Sequence, residues 1–86
     1  MHTFTARHVL YASTATEGPL GVQVYLNPNE WRTYEGSAER RAQVTYTLLD
    51  GTSHQHIFGD VGQVDLIQEE GVDPFYKLNF WFETRA

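Results

Sequence analysis

The chain of 86 residues contains no cysteine. This absence excludes disulfide bonds and thiolate-ligated zinc sites together, and it fits a protein that works in a reducing compartment. The chain also lacks an apolar run of the roughly 18 residues that would be needed to cross a bilayer. Met1-His2-Thr3 leads directly into an alternating segment rather than into a signal peptide. We therefore expect a cytoplasmic protein that does not enter a membrane.

Basic residues are scarce in the second half of the chain. The formal net charge is −5, and no Lys or Arg occurs from Ala42 through Tyr76. Residues 1–41 carry four acids and four bases, whereas residues 42–86 carry seven acids and two bases. Direct nucleic-acid binding is not expected, because it depends on Lys and Arg to neutralise phosphates. An acidic half permits a basic protein partner, which it would attract electrostatically, and the alternative is that the acidic excess serves solubility.

The length predicts a single domain spanning residues 1–86. Segments that alternate between apolar and polar residues are separated by turn signals, which is typical of an all-β protein. Strands are predicted at residues 3–12, 20–26 and 75–83 and in both arms of a hairpin within residues 42–58. Residues 61–70 fit a strand or a helix, and we favour the strand. The predicted fold is a small antiparallel barrel or sandwich of five to six strands with one short helix.

The short helix is predicted to begin after Asn27. Asn27 is a favourable N-cap, Pro28 suits the first helical position, and Glu30 stands where a capping-box acid belongs. Gly36 ends the helix, so at most two turns fit. Trp31 lies in these turns, three residues before Tyr34.

Asp50-Gly51 predicts the tight turn of the central hairpin. A two-residue type I′ loop at this pair would place Tyr46 opposite Gln55 and Val44 opposite Ile57. The predicted core-side face then carries Val44, Tyr46, Leu48 and Ile57. The predicted solvent-side face carries Thr45, Thr47, His54 and His56.

His54 and His56 are the predicted metal-ligand candidates, and His2, His8, Asp60 or Asp65 would supply a third ligand if the sheet brings one of them close. Two imidazoles at this spacing on one strand face lie about 7 Å apart, which suits two neighbouring positions of a metal centre. The motif resembles the His-x-His of cupin-type barrels, which implies a small metal-binding barrel as an alternative function. The cupin pattern also has a glutamate shortly downstream and a glycine further upstream. Here the nearest downstream acid is Asp60, and Gly51 is too close.

The last predicted strand has the most apolar row of the protein. Tyr76, Leu78, Phe80 and Phe82 share one face, which predicts a central strand. The opposite face carries Phe75, Lys77, Asn79, Trp81 and Glu83. Trp81 either forms a partner-binding patch together with Phe75 or packs beneath the helix that carries Trp31.

The function predicted from these features is protein binding without catalysis or a cofactor. The predicted partner-binding residues are Asp65, Glu69, Glu70, Asp73, Phe75 and Trp81. The size and charge resemble those of inhibitors and of immunity or anti-defence proteins of phages and mobile elements. The alternative is a β-rich structural or assembly subunit of a phage particle, with copies joined through their sheet edges as in a homodimer.

Overall fold

The computed structural model describes residues 1–11 and 18–82. In chain order the elements are β1 (His2–Thr5), β2 (His8–Tyr11), β3 (Pro19–Leu26), α1 (Pro28–Glu35), β4 (Ala42–Thr47), β5 (Ser53–Phe58), β6 (Gln63–Ile67) and β7 (Phe75–Trp81). They form a three-stranded sheet of order β1-β4-β5 and a four-stranded sheet of order β2-β3-β7-β6. The fold is therefore β-rich with one short helix, as predicted. Two separate sheets make it a sandwich, and the barrel alternative is wrong.

The described part of the chain has seven strands rather than the expected five to six because the first predicted strand divides. The amide of Ala6 donates to the carbonyl of Thr45 at 2.8 Å, whereas the amide of Arg7 donates to the carbonyl of Gln23 at 2.7 Å. Consecutive residues thus bond to different sheets, and the chain crosses from one layer to the other. One pairing, between β1 and β4, is parallel, and the other four are antiparallel. The expected strand ends at Ala12 and Glu83 lie outside the described residues.

The core lies between the two sheets. Its buried apolar residues come from both layers and from the helix, namely Val22, Val24, Leu26, Tyr34, Ala42, Val44, Phe58, Leu78 and Phe80. The alternation predicted for the last strand is confirmed, because Leu78 and Phe80 are fully buried and β7 lies between β3 and β6. The segment at 61–70 contains the strand β6, as favoured.

The helix begins and ends as predicted. The side chain of Asn27 accepts from the amide of Glu30 at 2.8 Å, and the Glu30 carboxylate accepts from the amide of Asn27 at 2.9 Å. Gly36 is the C-cap. Tyr34 packs edge-on against Phe80, and Trp31 stacks on Tyr76, so α1 covers the core side of the four-stranded sheet.

The predicted hairpin turn is wrong by one residue. The amide of Gly51 donates to the carbonyl of Leu48, and the amide of Leu48 donates to the carbonyl of Thr52, both at 2.9 Å. Gly51 has a φ of 87°, and no other residue in this turn has a positive φ. The loop is therefore a type I turn followed by a glycine bulge, with three residues, 49–51, between the bonded pair Leu48 and Thr52. A type I′ turn would have forced Asp50 to a positive φ, which is unfavourable for a residue with a Cβ.

Because of the extra loop residue, every side chain of β5 lies on the face opposite to the predicted one. Tyr46 lies opposite His54, and Thr45 lies opposite Gln55. His54 and His56 are therefore on the core-side face, and Ile57 is on the other face, where it is 52% exposed. A one-residue slip has this effect because side chains alternate with period 2. The change allows Phe58, opposite Ala42, to enter the core.

Candidate protein-binding face

The side chains of the four-stranded sheet that point away from the core form a second, uncovered surface, called the outer face below. Strand alternation places them there, since residues paired directly across antiparallel strands share a face. The outer face consists of His8, Leu10, Gly21, Gln23, Tyr25, Gln63, Asp65, Ile67, Phe75, Lys77, Asn79 and Trp81. The one helix of the described chain contacts the opposite side of this sheet. On the outer face His8, Gln63 and Trp81 are exposed, and the other residues are half-buried or buried.

Two glycines hold the indole of Trp81 against the sheet at one end of the outer face. Gly21 lies directly across from Trp81, and a Cβ at Gly21 would approach Cε3 of the indole to 2.8 Å. A Cβ at Gly62 would approach Nε1 of the same ring to 2.6 Å. The indole therefore lies over the backbone on both sides of β7. It remains 43% exposed, so one ring face is presented to solvent.

Amide side chains occupy the middle of the outer face. Nε2 of Gln23 donates to Oδ1 of Asn79 at 3.0 Å. Asn79 is only 8% exposed, and this bond satisfies its side-chain oxygen. Gln63 extends the same row on the other side of Asn79. The row separates the indole from a second aromatic group.

That second group surrounds Tyr25. The rings of Tyr25 and Phe75 have centroids 4.9 Å apart, and His8 meets Tyr25 edge-on at 5.8 Å. The guanidinium of Arg7 lies 5.5 Å from the centre of the Tyr25 ring, within range of a cation–π interaction. The backbone register places Lys77 between Tyr25 and Asp65. This end of the outer face is therefore aromatic with both signs of charge beside it.

The predicted acidic residues lie at the Tyr25 end. Residues 68–74 connect β6 to β7, and Glu69, Glu70 and Asp73 are exposed in this loop, called the acidic loop below. Gly71 turns the chain with a φ of 81°, and the amide of Val72 donates to the carbonyl of Glu69 at 3.2 Å. The loop leads directly into Phe75.

The structure brings most, but not all, of the predicted partner-binding residues together. Asp65 and Phe75 lie on adjacent strands beside the acidic loop. Trp81 lies at the opposite end of the same face, about 20 Å away along β7. The alternative position for Trp81, beneath the helix, is wrong, because Trp31 packs on Tyr76 on the core side.

Sequence reasoning missed Tyr25 and Gln23 as members of this surface. The signal was present, because the alternation of Leu20, Val22, Val24 and Leu26 predicts an inward row and leaves the residues between them on the outer side. Val22, Val24 and Leu26 are buried as expected, while Leu20 is 39% exposed at the start of β3. Arg7 gave no such signal, since its position depends on the crossing between the sheets.

The His54-x-His56 motif lies elsewhere, on β5 of the three-stranded sheet. The His54 ring stacks on Tyr46 at 5.6 Å, and His56 meets Phe82 edge-on at 5.0 Å. His54 Nε2 is also 2.9 Å from the hydroxyl of Thr52. Across residues 1–11 and 18–82, no three side chains of the metal-ligating types are grouped for an ion. Asp60, considered as a third ligand, is bonded to Arg40 and Tyr34.

The perturbed pKa values belong to contacts outside the outer face. Burial, followed by the nearby charge of Asp60, raises the pKa of Tyr34. The hydroxyl of Tyr34 donates to the carbonyl of Arg40 at 2.7 Å. Hydrogen bonds from Arg41 lower the pKa of Glu39 to about 2. The hydroxyl and amide of Thr52 lower the pKa of Asp50 in the hairpin turn.

Within the described ranges, no helix has the length and apolarity needed to cross a membrane. A depression of about 290 Å³ lies between β5 and Phe82, lined by His56, Ile57, Phe58, Gly59 and Phe82. No protein-family model, curated protein or solved structure matches this chain.

Proposed function

We propose that this protein is a small non-enzymatic binding domain that uses the outer face and the acidic loop to bind a basic protein. The carrying observation is the uncovered sheet face, with a half-exposed indole at one end and a carboxylate-rich loop at the other. Aromatic side chains are frequent anchors of protein interfaces because they bury a large area at a small cost in side-chain entropy.

The arrangement suits a protein partner better than a small ligand. Trp81 and Phe75, the outermost members of the two aromatic groups, lie six residues apart on β7, which is about 20 Å. A single small molecule does not reach from one to the other, whereas a protein surface does. The hydrogen-bonded amides of Gln23 and Asn79 in between provide a polar centre.

Charge adds the preference for a basic partner. Glu69, Glu70 and Asp73 point into solvent from one exposed loop. The nearest opposite charge on the outer face is Lys77, which the register places directly across from Asp65. A basic partner would be attracted to this end at a distance and then oriented on the aromatic surface.

In its narrower form the proposal concerns inhibition. A domain of this size that binds over the active site of a basic, nucleic-acid-handling enzyme would inhibit that enzyme. Inhibitors and immunity proteins of phages and mobile elements act on their target enzymes in this way. The support is the acidic second half of the chain together with the uncovered outer face.

The test begins with the partner that the wild-type protein recovers from extracts of its source cells. Binding of that partner is then measured by titration calorimetry for Trp81→Ala and for the triple variant Glu69→Gln/Glu70→Gln/Asp73→Asn. We expect Trp81→Ala to weaken binding about 30-fold, as for an aromatic anchor whose truncation costs about 2 kcal/mol. The triple variant should weaken binding at low salt and reduce the dependence of the affinity on salt concentration.

Leu49→Ala and Glu35→Gln serve as matched controls. Leu49 is 88% exposed in the hairpin turn, and Glu35 is exposed on α1, so both lie outside the outer face. Both controls should bind like the wild type. The proposal fails if no stoichiometric partner is recovered, or if the controls weaken binding as much as Trp81→Ala does.

A further inference from the structure

The edge strands of the two sheets differ in how well they are protected against pairing with another chain. β1 and β2 have only four residues each, and the register of β2 is irregular at Leu10 and Tyr11. β6 has five residues and carries Asp65. β5 is the longest edge, with six residues, and no Lys, Arg, Asp, Glu or Pro occurs between Asp50 and Asp60. Charges, prolines and bulges are the usual means of protecting an edge.

The hydrogen-bond pattern of the hairpin shows which backbone groups of β5 have no partner on β4. The bond from the Leu48 amide to the Thr52 carbonyl starts the ladder. Bonded pairs then recur at every second residue, so the next one joins Tyr46 to His54. The amides and carbonyls of Ser53, Gln55 and Ile57 therefore point away from β4, along the open edge of the sheet.

We propose that β5 pairs antiparallel with β5 of a second copy of this chain, which joins the two three-stranded sheets into one of six strands. The alignment that uses the whole strand is centred on Gln55, with Ser53 opposite Ile57 of the second copy. It forms about six intermolecular hydrogen bonds, two for each bonded pair.

The strand itself indicates a second copy as the occupant. The chain has a net charge of −5, so its copies repel each other over most of their surface. β5 is an uncharged strand within the acidic half, and the alignment on Gln55 brings no fixed charge of the strand opposite another. Ile57, at 52% exposure, lies across from Ser53 of the second copy in this alignment, so pairing removes part of its side chain from water. A single strand pair buries less than a standard interface, so a weak dimer with a dissociation constant above the micromolar range is expected.

The test combines sedimentation velocity with amide exchange followed by nuclear magnetic resonance, from micromolar to millimolar protein. We expect a dimer to form as concentration rises, with growing protection of the amides of Ser53, Gln55 and Ile57. The amides of His54 and His56 are already bonded to β4 and should change little. A protein that stays monomeric, or a dimer in which the three outward amides remain unprotected, overturns the proposal.

Substitution at Gln55 gives a matched pair of variants. Gln55→Pro removes an outward amide without removing a bond to β4, whereas Gln55→Ala keeps the amide and loses the same side chain. The proline variant should be monomeric and the alanine variant should dimerise like the wild type. If Gln55→Pro does not fold, Ile57→Lys is compared with Leu49→Lys, and only the former should abolish dimers. Equal dimerisation of either pair overturns the proposal. Trp81→Ala should leave the dimer intact, which separates this test from that of the proposed function.

Discussion

The two sheets of the sandwich differ in where their stability lies. In the four-stranded sheet, β3 and β7 are interior strands, and their buried side chains, such as Val22 and Phe80, are fully shielded from water. The three-stranded sheet has one interior strand, β4, and five of the six residues of its edge strand β5 are exposed. The comparison indicates that β3 and β7 supply most of the buried core, while β5 contributes only Phe58 to it.

The most severe test of this difference removes one large apolar side chain from each sheet. Phe80→Ala should reduce the free energy of unfolding by about 3–5 kcal/mol, because it leaves a cavity at the centre of the core. Ile57→Ala on β5 should cost no more than about 1 kcal/mol, since that side chain is half exposed. Denaturant unfolding followed by circular dichroism measures both. Similar losses in the two variants would show that the edge strand is as important for stability as the central one.

A smaller effect is expected from adding a methyl group beneath the indole on either side of β7. In Gly21→Ala the new Cβ would meet the carbonyl oxygen of Phe80, which belongs to the backbone of the central strand and cannot move freely. The free energy of unfolding should fall by about 1–3 kcal/mol.

In Gly62→Ala, by contrast, the closest contacts are with the exposed indole of Trp81, which can rotate away. Stability should change by less than about 1 kcal/mol, and the Nε1–H resonance of Trp81 should shift. An unchanged indole resonance in Gly62→Ala would contradict the position described for Trp81.

Tyr34 connects the two sheets. It lies on α1, which packs on the four-stranded sheet, and its hydroxyl donates to the carbonyl of Arg40, shortly before β4. Tyr34→Phe removes that bond and should cost about 1 kcal/mol at neutral pH. Burial raises the pKa of Tyr34 above its usual 10.0. The contribution of the neutral Tyr34 side chain to the free energy of unfolding is therefore complete below pH 10. It is lost as the pH rises further, because the phenol then ionises more readily in the unfolded chain than in the folded one.

Unfolding midpoints measured from neutral to strongly alkaline pH check this effect. The wild type should lose stability above about pH 10 more steeply than Tyr34→Phe does. The other tyrosines are common to both proteins, so the difference between the two curves reports on Tyr34. Parallel curves would contradict the assignment.

The smallest effect on stability is expected at Glu39, which precedes β4 of the three-stranded sheet. Hydrogen bonds from Arg41 lower the pKa of Glu39 from 4.5 to about 2. Its contribution to stability is therefore present above pH 4.5 and is lost as the pH falls toward about 2. The stability difference between wild type and Glu39→Gln should shrink over this interval. A difference that is constant with pH would show that the ion pair does not form in solution.

Predictions that rest on neighbouring residues were the most accurate. The capping box at Asn27 and Glu30 needs only a four-residue segment, and it is present as predicted. The apolar row ending in Leu78 and Phe80 likewise identified a central strand. Phe75 could be predicted as a surface residue because the alternation of β7 gives its outward residues directly. Asp65 and the acidic loop were predicted from the excess of acids in residues 42–86.

Features that depend on competition between distant groups were not predictable in the same way. Ala6 and Arg7 bond to different sheets, and no local pattern marks that crossing. The nearness of Arg7 to Tyr25 and the indole of Trp81 lying across two glycines follow from strand order, which the chain does not reveal locally.

Composition and periodicity were sufficient to establish a β-rich domain with one capped helix, because alternation and capping act over a few residues. The alignment of the central hairpin was settled by packing instead. Both turns are compatible with Asp50-Gly51, but the observed one buries Phe58 opposite Ala42 and leaves Ile57 outside. Burial of the larger aromatic ring contributes more free energy, and it needs no positive φ at Asp50. The gain from burying Phe58 depends on the four-stranded sheet, since Phe80 and Phe82 contact the Phe58 ring.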